Sequence, residues 1–136
     1  MRRDRELITD STRIPTGTLV LAVTLDVLLV LAFVLIGRSE HASEGASLGF
    51  LITAWPFLTG LAFGWLITRA WRHPLGVVSP GVGIWLATVA GGMLLRLVSG
   101  QGVQFTFIAV TALVLAAFLL GWRLIGSAVR RRATTR

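Results

Sequence analysis

The stretch TLVLAVTLDVLLVLAFVLIG, residues 18–37, decides the fold class, because its only ionisable side chain is Asp26. A hydrocarbon core of roughly 30 Å needs about 20 apolar residues per α-helix. The Leu, Val, Ile and Phe residues, at about −0.3 to −0.6 kcal/mol each, outweigh one Asp at about +2.5 to +3.5 kcal/mol. The stretch is also longer than the roughly 7 to 15 apolar residues of a signal peptide. It therefore predicts a retained transmembrane helix with a carboxyl group near its middle.

The rest of the chain repeats this pattern, since 54% of its 136 residues are hydrophobic and 14% are charged. The apolar runs do not alternate with polar residues, which opposes a transmembrane barrel. We predict an all-α fold, an integral membrane four-helix bundle over residues 18–124. An N-terminal cytoplasmic segment, residues 1–17, should precede it, and a basic cytoplasmic tail, residues 125–136, should follow. The predicted helices cover residues 18–37, 48–68, 79–98 and 103–123.

The net charge is +7, and the chain contains arginine but no lysine. The positions of these arginines along the chain predict the membrane topology. Most arginines lie before the first helix, between the second and third helices, or at the end of the chain, which leaves Arg38 and Arg96 elsewhere. The positive-inside rule then predicts a multi-pass protein of the cell membrane, inner or plasma, with both termini cytoplasmic. Topology explains the charge better than nucleic-acid binding. The terminal arginines should also contact anionic lipid headgroups, at about 1 kcal/mol each.

The chain offers little for catalysis. It has no cysteine, which excludes disulfides and thiol chemistry. His41 lies between Glu40 and Glu44 in a short connection, and three such groups could bind a metal, but a solvated polar turn is the favoured interpretation. We find no nucleophile and base pair and no glycine loop for phosphate. We therefore expect no enzyme activity, no catalytic or metal site and no cofactor.

The second predicted helix carries residues suited to close packing. Pro56, Gly60 and Gly64 are spaced four apart and so share one helix face. A GxxxG pair allows another helix to approach closely in a membrane. Pro56 removes a backbone hydrogen bond, which should kink the helix and free the carbonyl of Ile52.

The third predicted helix has small residues and a charged residue on one face, because Thr88, Gly92 and Arg96 are also spaced four apart. Asp26 and Arg96 differ by roughly 10 Å in depth, but a long arginine leaning towards its helix N-terminus could reach the acid. We expect Asp26 to face the bundle interior and to be linked to Arg96, directly or through a threonine or water. Arg38 and Thr88 complete this predicted polar site. The alternative is a protonated Asp26 bonded to a backbone carbonyl or a threonine hydroxyl.

The chain also shows traces of an internal repeat. Gly64-Trp65 matches Gly121-Trp122 at an offset of 57 residues, and Arg38 matches Arg96 at an offset of 58. Two helical hairpins of the same orientation would be related by an axis along the membrane normal. The four helices are therefore predicted to form two parallel hairpin repeats.

The segments TLDVLLVLAFVLIGRSEH, TAWPFLTGLAFGWL, GMLLR and LLGWR, in this order, carry a family resemblance. Together they resemble the bacterial and archaeal membrane family known as domain of unknown function 3054 (DUF3054). The resemblance implies a small four-helix membrane protein and brings no activity, substrate or cofactor. The positions that match the family pattern are Asp26, Gly37, Arg38, His41, Pro56, Phe57, Arg96 and Arg123.

Two functions fit these observations. The first is a transporter-like or channel-like protein for an ion or small solute, acting as a homo-oligomer, with a polar centre at Asp26 and Arg96, because intramembrane ionisable residues often mark ion paths. The alternative is a non-enzymatic subunit or assembly partner of a larger membrane complex, with its glycine faces meeting helices of a partner membrane protein. A water-filled cavity reaching Asp26 favours transport. A dry, fully paired Asp26 beside an exposed glycine groove favours assembly.

Overall fold

The computed structural model describes residues 14–39 and 46–135, which fold into four helices. Helix α1 spans Thr16–Ser39, α2 spans Ala46–Thr68, α3 spans Gly83–Val98 and α4 spans Phe105–Thr134. Each is long and apolar enough to cross a membrane. For α3 this span includes the irregular segment before it and covers Val77–Val98. The prediction of an all-helical membrane bundle is confirmed, and the described residues include no strand.

The bundle has two ends, which are named here by their residues. The terminal face holds the start of α1 at Thr16 and the end of α4 at Thr134. The hairpin face holds Arg38 at the end of α1 and Gly100 in the turn between α3 and α4. Gly100 adopts φ 77°, a left-handed conformation that favours glycine and lets the chain reverse.

Helix α4 is longer than the sequence predicted. We expected it to end near residue 123, before a separate basic tail, but it continues through Thr134. A π-helical turn, Ala116–Leu120, interrupts it and is followed directly by the last helical segment, Gly121–Thr134. Helix-forming Ala and Arg residues follow Gly126 without a proline, which explains the continuation. As a consequence, Arg123 lies within the helix rather than at its end.

The connection from α2 to α3 is irregular and folds back into the bundle. Arg69 takes a left-handed conformation, φ 50°, that ends α2, and a short 3₁₀ turn, Ala70–Arg72, follows. The segment Val77–Val82 then contains the extended residue Ser79 before α3 begins. Irregular backbone is tolerated at membrane depth where protein covers it, and Pro74 in this connection is buried.

Helices α2 and α3 pack closely through glycines. A Cβ atom on Gly60 would lie 2.9 Å from the carbonyl oxygen of Ala87, and one on Gly64 would lie 3.0 Å from Cα of Ile84. Neither helix could approach so closely with a larger residue at these positions. The glycine face of α2 is thus covered by α3 of the same chain.

An aromatic layer crosses the bundle between Asp26 and the hairpin face. Phe57 of α2 makes edge contacts with Phe33 of α1 at 5.3 Å and with Phe107 of α4 at 6.3 Å between ring centroids. Gly92 of α3 leaves room for the Phe57 ring, since a Cβ atom there would collide with it. This layer, Phe33, Phe57 and Phe107, ties three helices together and lies between the level of Asp26 and the hairpin face.

Candidate functional site

The first polar site is a buried ion pair between α1 and α4. Asp26 and Arg123 both have fully buried side chains. Nη1 of Arg123 donates to Oδ1 of Asp26 at 2.9 Å, and Nη2 donates to Oδ2 at 2.6 Å. Such a bidentate pair of charge-assisted hydrogen bonds fixes both the distance and the relative orientation of the two side chains.

Two tryptophans complete the coordination of the carboxylate. Nε1 of Trp65 donates to Oδ2 of Asp26 at 2.9 Å, and Nε1 of Trp122 donates to Oδ1 at 2.8 Å. Each carboxylate oxygen therefore accepts one indole N–H and one guanidinium N–H. An ionised carboxylate only accepts hydrogen bonds, so four donors suit it, whereas a protonated acid would set two donors against each other. The expected alternative, a neutral Asp26 donating to a carbonyl or threonine, does not fit these partners.

Two further N–H donors of Arg123 are also used. Nε donates to the carbonyl of Pro74 at 3.1 Å, and Nη1 donates to the carbonyl of Leu119, within the π turn, at 2.8 Å. Gly81 leaves space for the side chain, because a Cβ atom there would lie 3.2 Å from Cδ of Arg123. The guanidinium also lies 4.6 Å from the ring centroid of Trp122. We call Asp26, Trp65, Trp122 and Arg123 the buried cluster, which joins α1, α2, α4 and the irregular connection.

The predicted link between Asp26 and Arg96 is wrong, because Asp26 is paired with Arg123. Arg96 lies near the hairpin face, and the depth difference from Asp26 is too large for a direct contact. We had assigned Arg123 to the charges that flank the membrane. The continuation of α4 to Thr134 instead places Arg123 about 16 Å inside the end of that helix. The Gly-Trp repeat was the sequence signal that could have located it, since Trp122 immediately precedes Arg123.

The second polar site is a cavity of about 370 Å³ at the hairpin face. Both Arg38 and Arg96 line it. Nη1 of Arg38 donates to Oγ1 of Thr53 at 3.2 Å, and that hydroxyl donates to the carbonyl of Gly49 at 2.9 Å. The guanidinium lies so close to Gly49 that a Cβ atom would overlap it. Helix α2 therefore positions the Arg38 head group.

Helix α2 also positions Arg96, through Gln101. Nη1 of Arg96 donates to Oε1 of Gln101 at 2.9 Å, and Nε2 of Gln101 donates to the carbonyl of Ile52 at 3.1 Å. Pro56 has no N–H to pair with that carbonyl, as predicted for this helix. The guanidinium of Arg96 also lies 4.9 Å from the ring centroid of Phe107.

Thr88, also predicted for the polar site, lies away from both sites. Thr88 is buried, but its hydroxyl donates to the carbonyl of Ile84 at 2.7 Å, so it belongs to helix packing rather than to a polar centre. His41 lies outside the described residues, together with Glu40 and Glu44. Within residues 14–39 and 46–135, no group of three His, Asp or Glu side chains could hold a metal ion.

The predicted repeat pairs meet at the two polar sites. Trp65 and Trp122 donate to opposite oxygens of Asp26, and Arg38 and Arg96 line the same cavity. The polar groups of the buried cluster bond to other protein groups, so the cluster can hold the helices of the bundle together. The cavity presents two cations at the hairpin face, and it can receive a negatively charged or polar group.

Comparisons with known proteins assign the chain to a family. The model described as "Protein of unknown function (DUF3054)" matches residues 23–126, a range that includes Asp26, Arg38, Arg96 and Arg123. No curated protein and no solved structure matches the chain. The match covers most of the chain, including the residues of both polar sites, and the protein is therefore a member of the DUF3054 family.

Proposed function

We propose that this protein is a small transporter-like membrane protein whose solute, an ion or a small polar molecule, enters the cavity at the hairpin face. The observation that supports this is the cavity of about 370 Å³ lined by Arg38 and Arg96. Ligand sites typically enclose about 300–1,000 Å³. Two cations that line a cavity within membrane-spanning helices are energetically costly, and such residues often mark substrate or ion pathways.

In this proposal the buried cluster is a structural barrier rather than the binding site. Asp26 is fully buried and accepts four hydrogen bonds, so the conformation described here gives a solute no access to it. The aromatic layer separates the cavity from that cluster. Passage therefore requires movement of the layer, for which Phe33 and Phe107 are well placed because both also line the cavity.

The alternative is an assembly subunit of a larger complex, and neither function has both of its expected features, because the cavity of a transporter is present but does not reach Asp26. A dry, fully paired Asp26 is one of the two features expected of an assembly subunit. The second feature, an exposed glycine groove, does not accompany it, since Gly60 and Gly64 lie against α3. A partner or a second copy would have to use the exposed apolar side chains that face lipid in a single copy.

Electrophysiology on solid-supported membranes tests transport directly. Full-length protein in liposomes would be exposed to concentration jumps of chloride, phosphate, acetate, benzoate and glutamate. We expect a transient current for at least one of these anions, and its loss in Arg96→Gln. Arg130→Gln, which removes an exposed charge at the far end of α4, should leave the current unchanged. Absence of any current with all five anions, from protein with a wild-type helical spectrum, would refute the proposal.

We also propose that the terminal face is cytoplasmic and that the protein lies in the cell membrane. Apart from Arg38, Arg96 and the buried Arg123, every arginine belongs to the N-terminal segment, the α2–α3 connection or the end of α4. The positive-inside rule places those segments in the cytoplasm. The exposed arginines 130–132 at the end of α4 would then lie near anionic headgroups.

Single cysteines test this orientation, because the native chain contains none. A Cβ atom added at Gly37, near the hairpin face, or at Gly126, near the terminal face, meets no atom within 4 Å. In intact cells a membrane-impermeant maleimide should label Gly37→Cys, and it should label Gly126→Cys only after permeabilisation. The reverse pattern would show the opposite orientation.

A further inference from the structure

The donors of Arg96 are incompletely used, in contrast with those of Arg123. Each nitrogen of Arg123 donates to an acceptor at 3.1 Å or less. Nη1 of Arg96 is engaged by Gln101, but Nη2 has only a contact of 3.5 Å with the carbonyl of Gly102. Nε of Arg96 is buried and has no acceptor among the described residues. A buried donor without an acceptor costs about 1–3 kcal/mol, so such a group needs an explanation.

The under-used edge of Arg96 has the geometry that recognises an oxyanion. Nε–H and Nη2–H lie side by side on one edge of the guanidinium and form a fork that can bind both oxygens of a carboxylate. Gln101 holds the opposite edge, and the ring of Phe107 lies against the guanidinium. These contacts hold the guanidinium beside the cavity. Arg38 adds a second positive charge to the same cavity.

The walls of the cavity indicate what the rest of the ligand resembles. Among the described residues that line the cavity, none is acidic. Apolar side chains contribute a large share of the wall: Phe33, Val34, Val103 and Phe107. A small, strongly hydrated anion such as phosphate would leave this apolar surface without a partner. An apolar body attached to the anionic group would cover it.

We infer that the cavity binds a small organic anion, with its carboxylate on the Nε and Nη2 edge of Arg96, which turns towards the ligand to expose the buried Nε–H, and its apolar body against Phe33 and Phe107. This inference rests on the proposed function in one respect, namely that the cavity is the site where the solute enters. Arg38 supplies the long-range attraction, and Gln101 acts as a positioning residue that holds Arg96. The ligand class is therefore a monocarboxylate of about the size of benzoate.

Isothermal titration calorimetry on the full chain in a non-ionic detergent tests this inference. Benzoate should bind the wild-type protein, and benzamide, a neutral molecule of nearly the same shape, should bind at least tenfold more weakly. This comparison needs no mutation, so it stands even where a variant fails to fold. Inorganic phosphate should also bind more weakly than benzoate. Equal binding of benzoate and benzamide, or no binding of benzoate, would overturn the inference.

Variants then locate the site. Arg96→Gln should weaken benzoate binding at least tenfold, and Arg96→Lys should weaken it to an intermediate degree because lysine keeps the charge but lacks the fork. Arg130→Gln serves as a matched control with an exposed arginine and should bind as wild type. Unchanged affinity in a folded Arg96→Gln variant would overturn the assignment to this cavity.

Two further results separate this inference from competing explanations. If phosphatidylglycerol in nanodiscs binds in an Arg96-dependent manner and benzoate does not, the cavity is a lipid headgroup site and the inference is wrong. Benzoate binding without any current in the transport assay would refute the transport proposal and leave the ligand assignment intact. A current with another anion, without benzoate binding, would refute the ligand assignment and leave the transport proposal intact.

Discussion

Replacement of Asp26 by asparagine should cause a large loss of stability, because both orientations of the amide break the same number of contacts. Oδ1 accepts from Trp122 and Arg123, and Oδ2 accepts from Trp65 and Arg123. Whichever oxygen becomes an NH₂ group, one indole and one guanidinium donor lose their acceptor. Arg123 also keeps a buried charge without a counter-ion.

The size of this effect can be bounded. Removal of one partner from a buried ion pair typically costs about 3–5 kcal/mol. We expect Asp26→Asn to lose free energy of unfolding in this range, measured by SDS titration in mixed micelles with circular dichroism as the readout. Arg130→Gln, at an exposed position, should stay within about 0.5 kcal/mol of wild type. A loss below about 1 kcal/mol for Asp26→Asn would refute the view that the buried cluster holds the bundle together.

Two further predictions use the same unfolding assay. Gly60→Ala should cost about 1–3 kcal/mol, because its Cβ atom would lie 2.9 Å from the carbonyl oxygen of Ala87, whereas Gly17→Ala, which meets no atom within 4 Å, should be nearly neutral. An equal effect of the two substitutions would contradict the close approach of α2 and α3. Trp65→Phe and Trp122→Phe should each lose about 0.6 kcal/mol, the average for a hydrogen bond inside a membrane protein, and at most about 1.7 kcal/mol. A large effect at one tryptophan and none at the other would argue against shared coordination of Asp26.

The sequence predicted the fold well because membrane insertion is a local property. The length and hydropathy of each apolar run determine whether it can span a bilayer, and no distant contact is needed to recognise it. The order and number of helices were therefore predicted correctly. The end of α4 was not, because charge alone does not end a helix, and the charged residues after Arg123 form helix as readily as the residues before them.

The pairing of the charged side chains could not be predicted in the same way. Depth along a helix can be estimated from residue number, but the rotation of each helix about its axis depends on packing with its neighbours. Asp26 and Arg96 were both identified as polar positions, and the structure places them at different sites. Arg123 was counted with the flanking charges, so its role was missed. The Gly-Trp repeat contained the relevant information, because both of its tryptophans contact Asp26.

Arg96 can bind a solute only if Asp26 is paired with Arg123 instead. Two double-mutant cycles measure directly which arginine is paired with Asp26. One cycle combines Asp26→Asn with Arg123→Gln, and the other combines Asp26→Asn with Arg96→Gln, with the free energy of unfolding as the readout. We predict a coupling of at least about 2 kcal/mol in the first cycle, as expected for residues in one buried network, and a coupling within about 0.5 kcal/mol of zero in the second. A strong coupling between Asp26 and Arg96, with additive effects of Asp26 and Arg123, would contradict both the buried cluster and the separate cavity site.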